Sequence, residues 1–199
     1  TDFATSEKQR ADFSVISVWA YNNVGDWLWV DGLVKRQTMD KNIDTLFRFA
    51  QNYKPQSVGV EVTGQQGGFI QWIQGQMMDR NIYFSLASEG NSGALGIRPN
   101  TNKLVRFNTV VPLFKSRKVF FPIEKKNSPE LVEAITELGL VTAGGFKSKH
   151  DDFIDTISML SSMNAWRPSE EAPVAIGDDG MWEIDIDDEP VDRIISYIV

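Results

Sequence analysis

The acidic positions with chemical promise fall where strands or a helix should end: Asp2, Asp12, Glu61, and the adjacent pair Asp151 and Asp152. Glu61 sits in the apolar run 58–62 (VGVEV), where an ionised side chain is costly unless it is paired or bound to metal. An edge-strand glutamate turned to water is the alternative there. Asp151 and Asp152 open a helix whose apolar face is Phe153, Ile154, Ile157 and Leu160. Capping and the helix dipole explain one carboxylate at that end, but they do not require two, followed by Asp155 one turn later. Asp2 and Asp12 flank the polar stretch 6–10, which reads as a turn between strands, and turns accept aspartate for ordinary reasons. The joint pattern says more than any one position. Carboxylates converging from separate elements can supply the octahedral oxygen coordination that Mg²⁺ prefers. With two ions about 3.5 to 4 Å apart, such a site cleaves phosphodiesters, one ion activating a water and the other stabilising the leaving oxygen.

The composition narrows the chemistry further. With no cysteine and one histidine in 199 residues, disulfides, thiolate zinc sites, cysteine nucleophiles and multi-histidine cages are excluded, so any metal is held mainly by oxygen. A formal charge of −7 argues against a nucleic-acid partner until its distribution is read. Ten of the 27 acidic residues but only Arg193 of the 20 basic ones lie in 168–199, which leaves 17 acidic and 19 basic residues in 1–167. The expected division is therefore a globular body over 1–167 and an acidic tail or extension over 168–199. In the body, Lys103, Arg106, Lys115, Arg117 and Lys118, joined by Lys147 and Lys149, form the best candidate track for DNA phosphates. A solvated helix face is the alternative. No zinc module or reading helix is present to recognise bases. The glycine loop 64–68 could offer backbone N–H groups to phosphate, or its glycines could serve only a tight turn.

The elements that must position these groups follow from periodicity. Residues 13–20 and 27–35, separated by the turn signal 22–26, predict a β-hairpin. Residues 40–53 space Ile43, Leu46, Phe47 and Ala50 as a helix does, and Lys54-Pro55 stops the run. Short strands are expected at 57–62, 81–87 and 118–121, and further helices at 69–80, 101–114, 128–138 and 151–164, with Ser128 as a cap and Pro129 at the first helical position. Residues 88–100 read as a flexible surface loop. In the tail, 182–186 alternates as an added strand would, and 193–199 is apolar enough to want a surface to cover. The whole predicts an α/β domain with a mixed sheet flanked by α-helices.

The order of motifs resembles the C-terminal nuclease domain of the tailed-bacteriophage large terminase subunit. Residues 2–14 (DFATSEKQRADFS) are similar to that family's first nuclease motif, 58–64 (VGVEVTG) to its second and 150–155 (HDDFID) to its third. Between them, 102–106, 110–114 and 118–122 resemble the segment in which a basic helix leads to a short strand. The resemblance spans about 1–165 and implies a ribonuclease H-like, metal-dependent endonuclease that cuts concatemeric double-stranded DNA at the initiation and termination of head filling. It implies Mg²⁺ or Mn²⁺, as two ions, on a catalytic triad of Asp2, Glu61 and Asp152. Asp12 and Asp151 are then auxiliary ligands, with the choice between Asp151 and Asp152 as principal ligand left open; Asp155 supports the ligands from behind or is structural, and His150 orients a carboxylate or touches phosphate. A lone histidine before a helix also has the reading of doing neither.

Partners implied by the resemblance are double-stranded DNA, a terminase ATPase domain, the viral portal and the small terminase, in the host cytoplasm and transiently at the procapsid portal. No glycine is followed by lysine, so a P-loop is missing and the ATPase is expected on polypeptide preceding Thr1. No apolar run of the roughly 18 to 20 residues of a membrane span occurs, nor does a secretory signal. Two rival readings remain: a Holliday-junction resolvase or DDE-type transposase of the same fold, and a non-catalytic interaction module of a packaging protein.

Overall fold

The computed structural model describes residues 1–4, 13–62, 67–163, 165 and 168. Its centre is the expected hairpin. β1 (Ser14–Tyr21) pairs antiparallel with β2 (Trp27–Lys35). Asn22 builds the turn, its side-chain oxygen accepting from the Val24 and Asp26 N–H groups, and Gly25 supplies a φ of 83° that glycine adopts without strain. The register shifts by one between Val18 and Trp19, since Val18 faces Asp31 while Trp19 faces Trp29. Val30 is thus the extra residue of a β-bulge, and Lys125 Nζ takes its carbonyl at 3.0 Å together with Asp31 Oδ1 at 2.8 Å.

Sheet pairing continues on both sides of the hairpin. β5 (Val119–Phe120) lies parallel to β2. Beyond β1, Asp2 exchanges both backbone bonds with Val15, at 2.9 and 2.7 Å. Glu61 N–H then donates to the Thr1 carbonyl at 2.9 Å, while Val58 and Val62 donate in the other direction, to Ser85 and Ile97. The strands expected at 57–62 and 81–87 are accordingly present only as single-residue bridges, Val58 to Leu86 and Glu61 to Ile97. Their backbone bonds are made, but partners change too often along 58–62 for a longer ladder.

Two apolar layers cover the sheet. On one side, α1 (Met39–Tyr53) and α2 (Gly67–Arg80) pack Ile43, Leu46, Phe47, Ile73 and Met77 against Ile16, Leu33 and Val60. The four periodic positions of α1 are all buried, each contributing on the order of 1.5 to 3 kcal/mol where the side chain is large. Lys54, in the left-handed region, ends that helix by donating to the Ala50 carbonyl. On the other side, α3 (Lys103–Lys115), α4 (Pro129–Gly139) and α5 (Asp152–Ser158) pack Phe107, Val110, Leu131, Ala134, Phe153, Ile154 and Ile157 against Val15 and Trp29. Asn102 caps α3 and Ser128 caps α4 through side-chain oxygens, the latter with Pro129 next, as its sequence predicts. A mixed sheet between helices is the α/β architecture anticipated for the chain.

Three details differ from the sequence reading. Residues 88–100 are not a loose loop: β3 (Ser88–Glu89) pairs parallel with β4 (Gly96–Ile97), and Ile97 is buried against the Val60 and Val62 backbone. A small hairpin, β6 (Val141–Thr142) with β7 (Gly145–Phe146), precedes the last helix. That helix ends at Ser158 and tightens into a 3₁₀ turn over Met159–Ser162 instead of continuing to 164. Asp12, most of the 64–68 loop and the tail segments 182–186 and 193–199 lie outside the described residues. Among the described residues no helix is long and apolar enough to cross a membrane.

Candidate metal centre

Three elements deliver carboxylates to one place. Asp2 is fixed by its paired bonds to β1, Glu61 by its bridge to Ile97, and Asp155 by the first turn of α5. One oxygen from each of Asp2, Glu61 and Asp155 lies within 4.8 Å of the others. Glu61 and Asp155 are buried and Asp2 is half-buried. Glu61 Oε2 is sequestered with no hydrogen-bond partner among the described residues, an expensive state for a buried acceptor that a cation would relieve. Two oxygens on opposite sides of one Mg²⁺ stand about 4.2 Å apart. The donor set, all carboxylate, and its spacing therefore fit a hard divalent cation.

The electrostatics agree with that fit. Burial, then the neighbouring Glu61, Asp155 and Asp152 charges, push the Asp2 carboxyl well above its ordinary range. Burial and Asp155 likewise raise Glu61. For Asp155 burial raises the carboxyl and Lys103 and Arg106 oppose it. Lys103 has the converse balance: burial works against its charge, but the hydrogen bonds it donates to Asp151 and Asp155, with their charges, outweigh it and push the ammonium pKa up. Contacts of 2.6 Å from Lys103 and 2.7 Å from Arg106 belong to an ionised Asp155, which is the state these two cations hold. Three mutually repelling acids gathered in a partly dry cleft form a site short of positive charge.

The remaining sequence candidates occupy distinct positions. Asp152 is buried one turn before Asp155, close enough to raise the Asp2 carboxyl, and its Oδ2 accepts the Phe13 N–H at 2.9 Å. It is therefore Asp155, not Asp152, whose oxygen joins those of Asp2 and Glu61 within the 4.8 Å cluster. Residues three apart share a helix face, so their partners separate them: the Phe13 amide holds Asp152, while Lys103 and Arg106 hold Asp155 beside Asp2 and Glu61. Asp151 is turned to Lys103 at 2.7 Å. His150 stacks edge-on against Phe13 and takes a hydrogen bond from Arg36, at 3.0 Å, on its Nε2.

The basic candidates divide into two groups. Lys103 and Arg106 sit on the carboxylates themselves, and Lys118 is bound to Asp26 and to the Val24 carbonyl. Lys115, Arg117, Lys147 and Lys149 are exposed. A cleft bordered by Glu61, Arg98, Thr101, Arg106, Thr109 and Ser161 opens beside the acids. A second, apolar cleft, lined by Trp19, Phe49, Tyr53 and Met159, contains no carboxylate.

Sequence reasoning missed Glu137. This side chain is fully buried in α4, and its Oε2 accepts the N–H groups of Phe153 and Ile154 at 2.9 and 3.1 Å, so it caps α5 from another helix. The pattern of α4 gave a hint, since Leu131, Ala134 and Glu137 share one buried face of that helix.

A mixed sheet flanked by helices that brings acids from a strand edge, a neighbouring strand and a final helix to one point is a ribonuclease H-like arrangement. The model of the terminase RNaseH-like domain family matches residues 1–164, and the chain belongs to that family. It is a terminase nuclease-type module. No curated protein matches the sequence.

Proposed function

We propose that the chain is the Mg²⁺- or Mn²⁺-dependent endonuclease module of a viral DNA-packaging terminase, cutting double-stranded DNA at the start and end of head filling. The observation that carries the reading is the meeting of Asp2, Glu61 and Asp155 within 4.8 Å. These three would hold the principal ion, with Asp152 and Asp151 beside them for a second. When bound, the metal would neutralise charge at the scissile phosphate and make a coordinated water easier to deprotonate. The chain's own contribution is geometric. Asp2 and Glu61 are fixed by backbone pairing, and Lys103 and Arg106 clamp both oxygens of Asp155, so the donors are oriented before DNA arrives. The exposed Lys147 and Lys149, which precede α5, would meet the phosphate backbone next to the cut. Double-stranded DNA, an ATPase domain, the portal and the small terminase are the partners of that activity, in the host cytoplasm at the procapsid.

Incubation of supercoiled plasmid with the protein tests the reading directly. Cleavage is expected with Mn²⁺ or Mg²⁺, none in EDTA, and none for Glu61→Gln of unchanged Tm. Full activity in Glu61→Gln, or no cleavage by wild type with either ion, would refute it. A marked preference for four-way junctions over plain duplex would favour a resolvase of the same fold.

A further inference from the structure

The first turn of α5 carries Asp151, Asp152 and Asp155, yet nothing in its own sequence caps it. Asp151 is the N-cap residue, and its side chain makes no cap hydrogen bond; it reaches outward to Lys103 at 2.7 Å. The amides of Phe153 and Ile154, which a capping side chain would satisfy, are instead taken by Glu137 Oε2 from α4. This is a costly solution. Glu137 is fully buried, its Oε1 has no partner among the described residues, and Asp152 is a like charge nearby. A side chain at the N-cap of α5 could satisfy an amide more cheaply, at the surface. What the cross-helix cap does that a local one cannot is leave Asp151 free to bind Lys103, and tie the rotation of α5 to α4. The helix is only seven residues long, so two amide bonds in its first turn fix a large share of its orientation.

We propose that Glu137 is a positioning residue of the metal centre, holding α5 in the rotation that brings Asp155 to Asp2 and Glu61 and releasing Asp151 to hold Lys103. The inference rests on the metal-dependent reading above. Glu137 touches neither metal nor DNA; its effect is transmitted through the backbone of Phe153 and Ile154. Loss of its acceptor lets the short helix turn or fray, and the donor oxygen of Asp155 leaves the cluster. Support of this kind behind metal ligands typically changes affinity by roughly 10 to 100-fold when removed.

The test compares Glu137→Gln, which keeps an acceptor oxygen of the same reach, with Glu137→Met, which fills the space without one. Ser128→Ala is the control, since it removes the cap of α4 at a helix end that carries no metal-centre residue. Each protein is measured for Tm, for Mn²⁺ affinity by the electron spin resonance of the free ion, and for kcat and KM on plasmid DNA. Glu137→Met should bind Mn²⁺ about tenfold or more weakly and lose kcat, with the KM for DNA unchanged. Glu137→Gln should restore both, and Ser128→Ala should lower Tm while leaving Mn²⁺ affinity alone. If Glu137→Met does not fold, Glu137→Asp, whose acceptor is withdrawn by one methylene, should show the same loss in milder form. Mn²⁺ affinity and kcat unchanged in whichever of these two variants folds, or a loss in Glu137→Gln equal to theirs, overturns the proposal. Wild-type protein that binds no Mn²⁺ would instead overturn the metal reading on which it rests.

Discussion

Exchanging Asp155 for asparagine separates the geometric ligand set from the one that motif order implies. The substitution keeps the size of the side chain and removes one charge. Two effects oppose each other in the metal-free protein. Contacts of 2.6 and 2.7 Å to Lys103 and Arg106 are weakened, and breaking a buried ion pair costs about 3 to 5 kcal/mol. The loss should lie at or below the lower end, because Lys103 is partly exposed and retains Asp151. Against it, repulsion within the cluster is relieved: at the 4.8 Å limit of the cluster and an effective dielectric constant near 20, one fully ionised pair repels by about 3.5 kcal/mol. Metal-free Tm should therefore change by only a few degrees. The metal response should change much more. Mn²⁺ at a hundred times its Kd stabilises the wild type by about 2.7 kcal/mol, or about 5 to 10 °C for a domain of this size. Asp155→Asn should lose that shift and the plasmid cleavage with it. Asp152→Asn should retain most of the shift, since an amide oxygen can still accept the Phe13 N–H. Differential scanning fluorimetry with and without Mn²⁺, paired with a nicking assay, reads both. The opposite ranking, with Asp155→Asn responding to Mn²⁺ and Asp152→Asn inert, would refute the geometric assignment.

Two further outcomes are expected. Burial, and Asp152 nearby, push the Glu137 carboxyl up to about 8 despite its two amide bonds, against an ordinary value of 4.5. Between those values the folded protein binds more protons than the unfolded chain, so this group makes stability fall as pH rises from about 4.5 to 8. In EDTA the Tm of Glu137→Gln should decline less over that interval than that of wild type, and parallel profiles would contradict it. Gly96→Ala should destabilise the domain by about 1 to 3 kcal/mol, because Gly96 has a φ of 99° and a Cβ there would stand 2.8 Å from Val62 Cγ1. Urea denaturation measures this, and a midpoint equal to wild type would count against the crowding of β4 on Val62.

Where one face of an element is buried by local periodicity, the sequence was a good guide. The hairpin, α1 and the capped start of α4 all lie where spacing and cap residues predict them. Glu61 was legible only as one of two readings, a ligand or an edge-strand glutamate turned to water; its burial beside Asp2 depends on the Thr1 and Ile97 backbone. What the sequence left unresolved depended on distant partners. Asp152 and Asp155 share a helix face, and partners far along the chain distinguish them: the Phe13 amide, 139 residues away, on the first, and Lys103 and Arg106 on the second. Lys103 and Arg106 read as a basic helix face because Asp155, their acceptor, lies about fifty residues downstream. Lys118 read the same way, and it is committed to Asp26 across 92 residues. Residues 88–100 read as loop because Gly, Ser and Asn signal turns, whereas burial of Ile97 depends on the Val60 and Val62 backbone.

The extra residue at Val30 sets a parity for the whole domain. Ahead of it, Trp27 and Trp29 face the layer that contains α5; after it, Val34 faces that layer and Leu33 faces α1. Counting by twos from Trp29 would send Leu33 the other way. One inserted amino acid thus lets a single ribbon serve two opposite interiors, and removing it would turn the far half of β2 inside out.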